Sequence, residues 1–276
     1  MKMKDEMGFW GTPTSTLDWC EANYENNYFI AEFWNTVSNL GMIIPPVYGI
    51  YHCYRQGLEN KFIVNYALLL LTGIGSWMFH MTLKYEMQLL DELPMVWGAS
   101  YMLHTLYEIH MCTKKGTAYV GIGIAAYSSI LTISYLIFPN PIYYEVMYGI
   151  LILANIILGM RRSYIDGGQV TSILFFGGLL LYAIGFVFWN IDNHFCSFLS
   201  SFRENVRANN DLLTVISPLT QLHGWWHLLA GYAGYIHIIV CIQHRLKYLK
   251  MKTSLEGSVV GLKVVVIEDF NQNKFK

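Results

Sequence analysis

The sequence predicts an all-α fold, a bundle of seven transmembrane helices. Three observations carry this. Of 276 residues, 54% are hydrophobic and only 13% are charged, about half the charged share of an ordinary soluble domain. Apolar runs recur along nearly the whole chain, each near the roughly 20 residues that cross a bilayer core. The segments between them are short, as in a bundle of antiparallel neighbours. Mean hydropathy is +0.34. The net charge of −1 gives no electrostatic footprint for a nucleic-acid partner. The first 28 residues are polar and acidic and do not have the pattern of a cleavable signal peptide.

The expected spans are 29–54, which ends against Arg55; 61–81, which stops short of Lys84; 88–110, which carries Asp91; 117–138, which follows Lys114 and Lys115; 142–160, which ends at Arg161 and Arg162; 171–193; and 219–243, which stops before Arg245. Residues 1–28 form a segment outside the membrane, 29–245 the membrane domain, and 246–276 a largely disordered tail in which Val259–Ile267 has strand character. The longest connection, 194–218, carries Arg203, Glu204, Arg207 and Asp211. With the N-terminus on the lumenal or outer side, the inner side holds Arg55, Lys61, Lys114, Lys115, Arg161, Arg162, Arg245, Lys247, Lys250 and Lys252. The outer side holds Lys2, Lys4, Lys84, Arg203 and Arg207. The positive-inside bias therefore favours N-out, C-in.

Leu222-His223-Gly224-Trp225-Trp226-His227 opens the seventh span. A spacing of four puts both imidazoles on one helix face, a turn apart, which suits two ligands to one metal. Each could instead bond a backbone group or a tyrosine, but ionisable groups inside a membrane are costly and mark function. In the N-out arrangement the second span ends near His80 and the third starts near Asp91. His80, Asp91, His223 and His227 then share one outer layer. Three histidines leave a fourth position on zinc for water, which predicts an intramembrane zinc site. Ser76 lies one turn before His80 on the same face, and Asp91 is placed to bond the water or orient a histidine. His52, His110 and His244 fall at inner ends. His104 and His237 read as core histidines satisfied by neighbours, and His194 as a possible support residue beside Asp192.

Asp18-Trp19-Cys20-Glu21-Ala22-Asn23, followed by Glu32, offers several oxygens. Such donors suit calcium, but the spacing is not that of an EF-hand, and on the residues alone a solvated acidic cap is the better reading. Glu32, at the mouth of a span, needs a partner. Of five cysteines, Cys20 and Cys196 fall on the oxidising side, either paired or as free thiols. Cys53, Cys112 and Cys241 fall toward inner ends.

The chain resembles the alkaline ceramidases. The matching stretches are Ser15–Glu21, Ile30–Asn39, Gly75–Pro94 (with Ser76, His80 and Asp91), Phe188–Asn193 and the His223/His227 pair, within a match over about residues 8–245. The resemblance implies a seven-span zinc amidase that takes ceramide from the bilayer and releases a sphingoid base and a fatty acid. It implies zinc on His80, His223 and His227, with Asp91 and Ser76 as the other active-site residues. It also implies calcium on Asp18, the Trp19 carbonyl, Glu21, Asn23 and Glu32, and a Cys20–Cys196 disulfide. Membrane lipids are the expected surroundings, in the endoplasmic reticulum and/or Golgi, with no obligate protein partner. The main alternative is a seven-span zinc receptor of the progestin and adipoQ type, whose cytosolic N-terminus requires the opposite topology. A haem carrier suits ligands on opposite sides of an iron better than two histidines a turn apart. A transporter calls for charges near mid-membrane.

Overall fold

The structure, a computed structural model, describes residues 8–109, 114–166, 168–209 and 217–268. Lys2, Lys4, His110, Cys112 and Asp211 lie outside the described residues. The chain runs through α1 (Phe33–Ser38), α2 (Leu40–Arg55), α3 (Asn60–Thr82), α4 (Tyr85–Glu108), α5 (Lys114–Ile137), α6 (Pro141–Asp166), α7 (Gln169–His194) and α8 (Cys196–Ala208). A 3₁₀ turn at Ser217–Thr220 leads into α9 (Leu222–Tyr248), and a hairpin of β1 (Lys252–Gly257) and β2 (Leu262–Glu268) follows.

Helix α9 is the axis of the bundle, packed against α7, α2 and α3. Its Ile238–His244 stretch is buried on every side, as expected of a helix surrounded by others. Small residues set the close approaches. A Cβ on Gly231 would meet the Met42 side chain at 2.2 Å, and one on Gly41 would meet Leu228 at 2.6 Å, so α2 and α9 touch because these side chains are missing. On the periphery, α5 and α6 leave Ile122, Ile130, Ile133, Leu153 and Ile157 exposed. An apolar outer face of that size is a lipid-facing surface in a membrane protein.

Among the described residues, five helices, α3, α5, α6, α7 and α9, are long and apolar enough to cross a membrane. The other two expected spans differ for physical reasons. The first is broken at Asn39 into α1 and the 16-residue α2, which carries Pro45 and Pro46 internally. The third, α4, carries Glu86, Asp91, Glu92 and Glu108, which lower its apolarity. The 194–218 connection contains α8 and the 3₁₀ turn. The 246–276 stretch is not simply an unstructured tail: α9 continues to Tyr248, and the antiparallel hairpin packs back against it, with Val264 and Met251 joining the core around Tyr66 and Tyr235.

Candidate metal centre and active site

His80 sits in the last turn of α3, and His223 and His227 in the first turns of α9. The three side chains are buried, and their ligand atoms lie within 4.8 Å of one another. Ring centroids are 5.0 Å apart for His80–His223, 4.7 Å for His80–His227 and 4.5 Å for His223–His227. Each imidazole is held on its other side. His80 Nδ1 lies 2.5 Å from Glu32 Oε2. His227 Nδ1 lies 2.9 Å from Ser38 Oγ and 3.1 Å from the Asn35 carbonyl oxygen. The Trp19 indole stacks on His223 at 3.8 Å. His80 Nε2 and His223 Nδ1 are buried with no protein partner. An unmet buried group costs about 1–3 kcal/mol, and a metal bond would remove that cost. Three imidazole nitrogens with oriented outer partners fit a zinc ion that keeps one position open.

Glu32 connects this cluster to the N-terminal segment. Its backbone amide donates to the His80 carbonyl at 3.0 Å, and the Ala31 amide donates to Met81 O at 2.9 Å. Two last-turn carbonyls of α3 are thereby satisfied from outside the helix. Its Oε2 also accepts from Asn35 Nδ2 at 3.1 Å, and its Oε1 has no partner. Glu21 accepts the Trp34 and Asn35 amides at 2.7 and 2.8 Å, capping α1. Burial, with the Glu32 charge adding to it, pushes the Glu21 carboxyl up to about 8. Asn23 Oδ1 is also buried and unpartnered. Crowded acids and orphaned hard oxygens fit a calcium ion. Of the expected set, Asp18 is the exposed member.

Ser76 and Asp91 meet across the α3–α4 contact, with the Ser76 hydroxyl facing the Asp91 carboxylate. Two backbone features allow this. A Cβ on Gly75 would meet Leu90 O at 2.0 Å, so the glycine lets the two helices abut at that level. Pro94, inside α4, has no N–H to offer Leu90 O four residues back. Ser76 is one turn from His80, about 6 Å along the axis, on the same helix face.

Sequence reasoning missed a second set of supports. Asp192, buried at the end of α7, accepts the Cys20 amide at 3.4 Å and sets its carboxylate charge facing the Leu222 and His223 amides at the start of α9. The N-cap residue itself, Gln221, makes no capping bond. Buried Arg203 of α8 donates to Gln221 Oε1 at 2.6 Å and to Cys20 O at 3.0 Å. Cys20 and Cys196 are disulfide-bonded across 176 residues of chain. His194 is exposed, so the supporting group in that stretch is Asp192. His104 lies 3.7 Å from Glu108. His237 stacks on Phe175 at 5.3 Å, and its Nε2 has no hydrogen-bond partner.

The sequence model of the Ceramidase family matches residues 11–260. Alkaline ceramidase 3 of Mus musculus is 42% identical over 254 residues, covering 91% of this chain and 92% of the relative. Alkaline ceramidase YPC1 of Saccharomyces cerevisiae is 32% identical over 252 residues, 84% and 77% of the two chains. An alkaline ceramidase of Arabidopsis thaliana is 31% identical over 232 residues, 82% of each.

Proposed function

This chain belongs to the alkaline ceramidase family and is a ceramide-hydrolysing amidase, and from that premise we propose that it cleaves ceramide inside the membrane with a zinc ion held by His80, His223 and His227. The observation that carries the proposal is the buried cluster of these three imidazoles, whose α3 member, His80, lies one turn from Ser76 on the same helix face. Zinc bound there would acidify a water molecule and polarise the amide carbonyl.

The chain's own residues do the rest. Asp91 takes the proton of the attacking water and returns one to the departing sphingoid nitrogen. The Ser76 hydroxyl, which faces Asp91 here, turns to the amide oxygen as negative charge develops on it. Glu32 holds His80 through Nδ1, and Ser38 and Asn35 hold His227. These bonds fix which nitrogen of each ring faces the cluster. Asp18, the Trp19 carbonyl, Glu21, Asn23 and Glu32 would hold a calcium ion, which would order the N-terminal segment over the site. A groove of about 620 Å³ between α4 and α5, lined by Trp97, Ser100, Ser128 and Thr132 among others, begins about 9 Å along α4 from Asp91. We assign it to an alkyl chain of a substrate already dissolved in the bilayer.

Helices α2 and α4 join the five apolar helices to make seven spans. The metal end faces the lumen, which the Cys20–Cys196 disulfide at that end supports. The basic far end faces the cytosol, in the endoplasmic reticulum and/or Golgi. The test is hydrolysis of ceramide by the purified protein before and after chelation. Activity that falls with zinc removal and returns with zinc supports the proposal; activity indifferent to chelation in verified zinc-free protein rejects it.

A further inference from the structure

The hairpin at the end of the bundle far from the histidines has an unusual tip. Glu256 and Lys263 face each other across one rung and pair at 3.1 Å. From Gly257 through Leu262 no residue is charged. The turn pairs three of its four amides within itself: Ser258 N–H donates to Gly261 O at 2.8 Å, and the Val260 and Gly261 amides both donate to Ser258 Oγ at 3.3 Å. The Leu262 carbonyl accepts from the Tyr235 hydroxyl. At the apex Val259 is fully exposed and Val260 partly so. Backbone groups in hydrocarbon are costly unless paired, and pairing three of the four turn amides lowers the cost of such a position.

The depth of the tip follows from its contacts. Gly261 sits against the Tyr235 ring, where a Cβ would lie 3.0 Å from the hydroxyl oxygen. The Tyr235 ring is 5.3 Å from that of Tyr66. Tyr66 is six residues into α3, about 9 Å inside its end. The strands are fastened there by Gln56, whose side-chain amide donates to Val264 O at 2.7 Å and accepts from Val266 N–H at 3.1 Å. Exposed Tyr51 and Tyr54 of α2 lie toward the same end, where an interfacial aromatic belt belongs.

We propose that the turn Ser258–Gly261 dips into the leaflet at this end of the bundle and takes lipid acyl chains as its partner. The hairpin is then a re-entrant clasp that fastens the end of α9 to α2 and to the bilayer. The inference rests on the reading that α2 and α3 cross a membrane. Its test is a nitroxide label on Val259→Cys, with Cys53, Cys112 and Cys241 replaced by serine or alanine and the disulfide intact. The protein is reconstituted in phosphatidylcholine–phosphatidylserine vesicles, and collisions with oxygen are compared with collisions with a water-soluble nickel chelate. Labels at Lys252→Cys, at the base of the hairpin, and Ile130→Cys, on the outer face of α5, are the references. The expected result is an oxygen-to-nickel ratio at Val259 raised toward that of Ile130 and well above that of Lys252. A Val259 ratio equal to that of Lys252 while Ile130 stays high overturns the clasp alone. Low ratios at all three overturn the clasp and the membrane reading together.

Discussion

Replacing Glu32 with glutamine keeps the size of the side chain and removes its charge. In the structure one carboxylate oxygen takes both His80 Nδ1 at 2.5 Å and Asn35 Nδ2 at 3.1 Å, and the side chain is wholly buried. Glutamine can still accept from His80, but the hydrogen bond loses its charge assistance, roughly half its strength. Loss of such an outer partner weakens metal binding by about 10–100-fold, or about 1.4–2.8 kcal/mol. Glu32→Ala goes further, because it strands His80 Nδ1 and Asn35 Nδ2 in the interior at about 1–3 kcal/mol each. The assay is zinc affinity by competition with a chelator, with melting temperature measured alongside. The expected order is wild type, then Glu32→Gln, then Glu32→Ala, in both readouts. Wild-type zinc affinity in Glu32→Gln would refute the reasoning that His80 depends on this carboxylate.

Gly75→Ala places a methyl group 2.0 Å from Leu90 O. Overpacking costs about 1–3 kcal/mol, so a lower melting temperature and lost turnover are expected, and a fully active, equally stable variant would contradict the described α3–α4 contact. Asp91→Asn should retain zinc by elemental analysis while losing ceramide turnover, and normal turnover would remove Asp91 from the proton-transfer role. Asp192→Asn removes the negative charge that faces the first amides of α9 and should destabilise that turn by about 0.3–1 kcal/mol; an unchanged melting temperature would show that this charge carries no weight. Reduction of the disulfide, which closes 176 residues of chain, should cost up to about 5 kcal/mol, read as a drop in melting temperature under reducing conditions. Calcium should raise the melting temperature of the wild type and do so less in Glu32→Ala, and no calcium effect on the wild type would remove the calcium site.

The parts of the site that local periodicity controls were legible in the sequence. His223 and His227 are four apart, so any helix puts them on one face, and the same rule ties Ser76 to His80. Bringing α3 against α9 needed only the alternation of span directions, which put His80 and the start of the last span at one end. The supports were not legible, because they depend on the depth and rotation of elements far apart in sequence. Glu32 clearly wanted a partner, but only the fold of residues 30–32 over the end of α3 shows that the partner is His80. Asp192 reaches α9 because α7 ends level with its first turn, a matter of helix length rather than motif. The hairpin was only half visible. Val264 and Val266 read as strand, but Lys252-Thr-Ser-Leu-Glu-Gly has the composition of a solvated tail, and it pairs because Gln56 and Tyr235 offer it a place. The break at Asn39 and the carboxylates of α4 had the opposite effect, leaving α2 and α4 short of the length or apolarity that the sequence reading expected of a span.

The central claim is that three histidines hold the zinc on which ceramide hydrolysis depends. Elemental analysis of purified wild-type and His80→Ala protein, each assayed on ceramide in the same preparation, tests it most directly. The account predicts zinc near one equivalent and hydrolysis in the wild type, and loss of both in His80→Ala with helical content retained. Full hydrolysis by a zinc-free His80→Ala protein would contradict it.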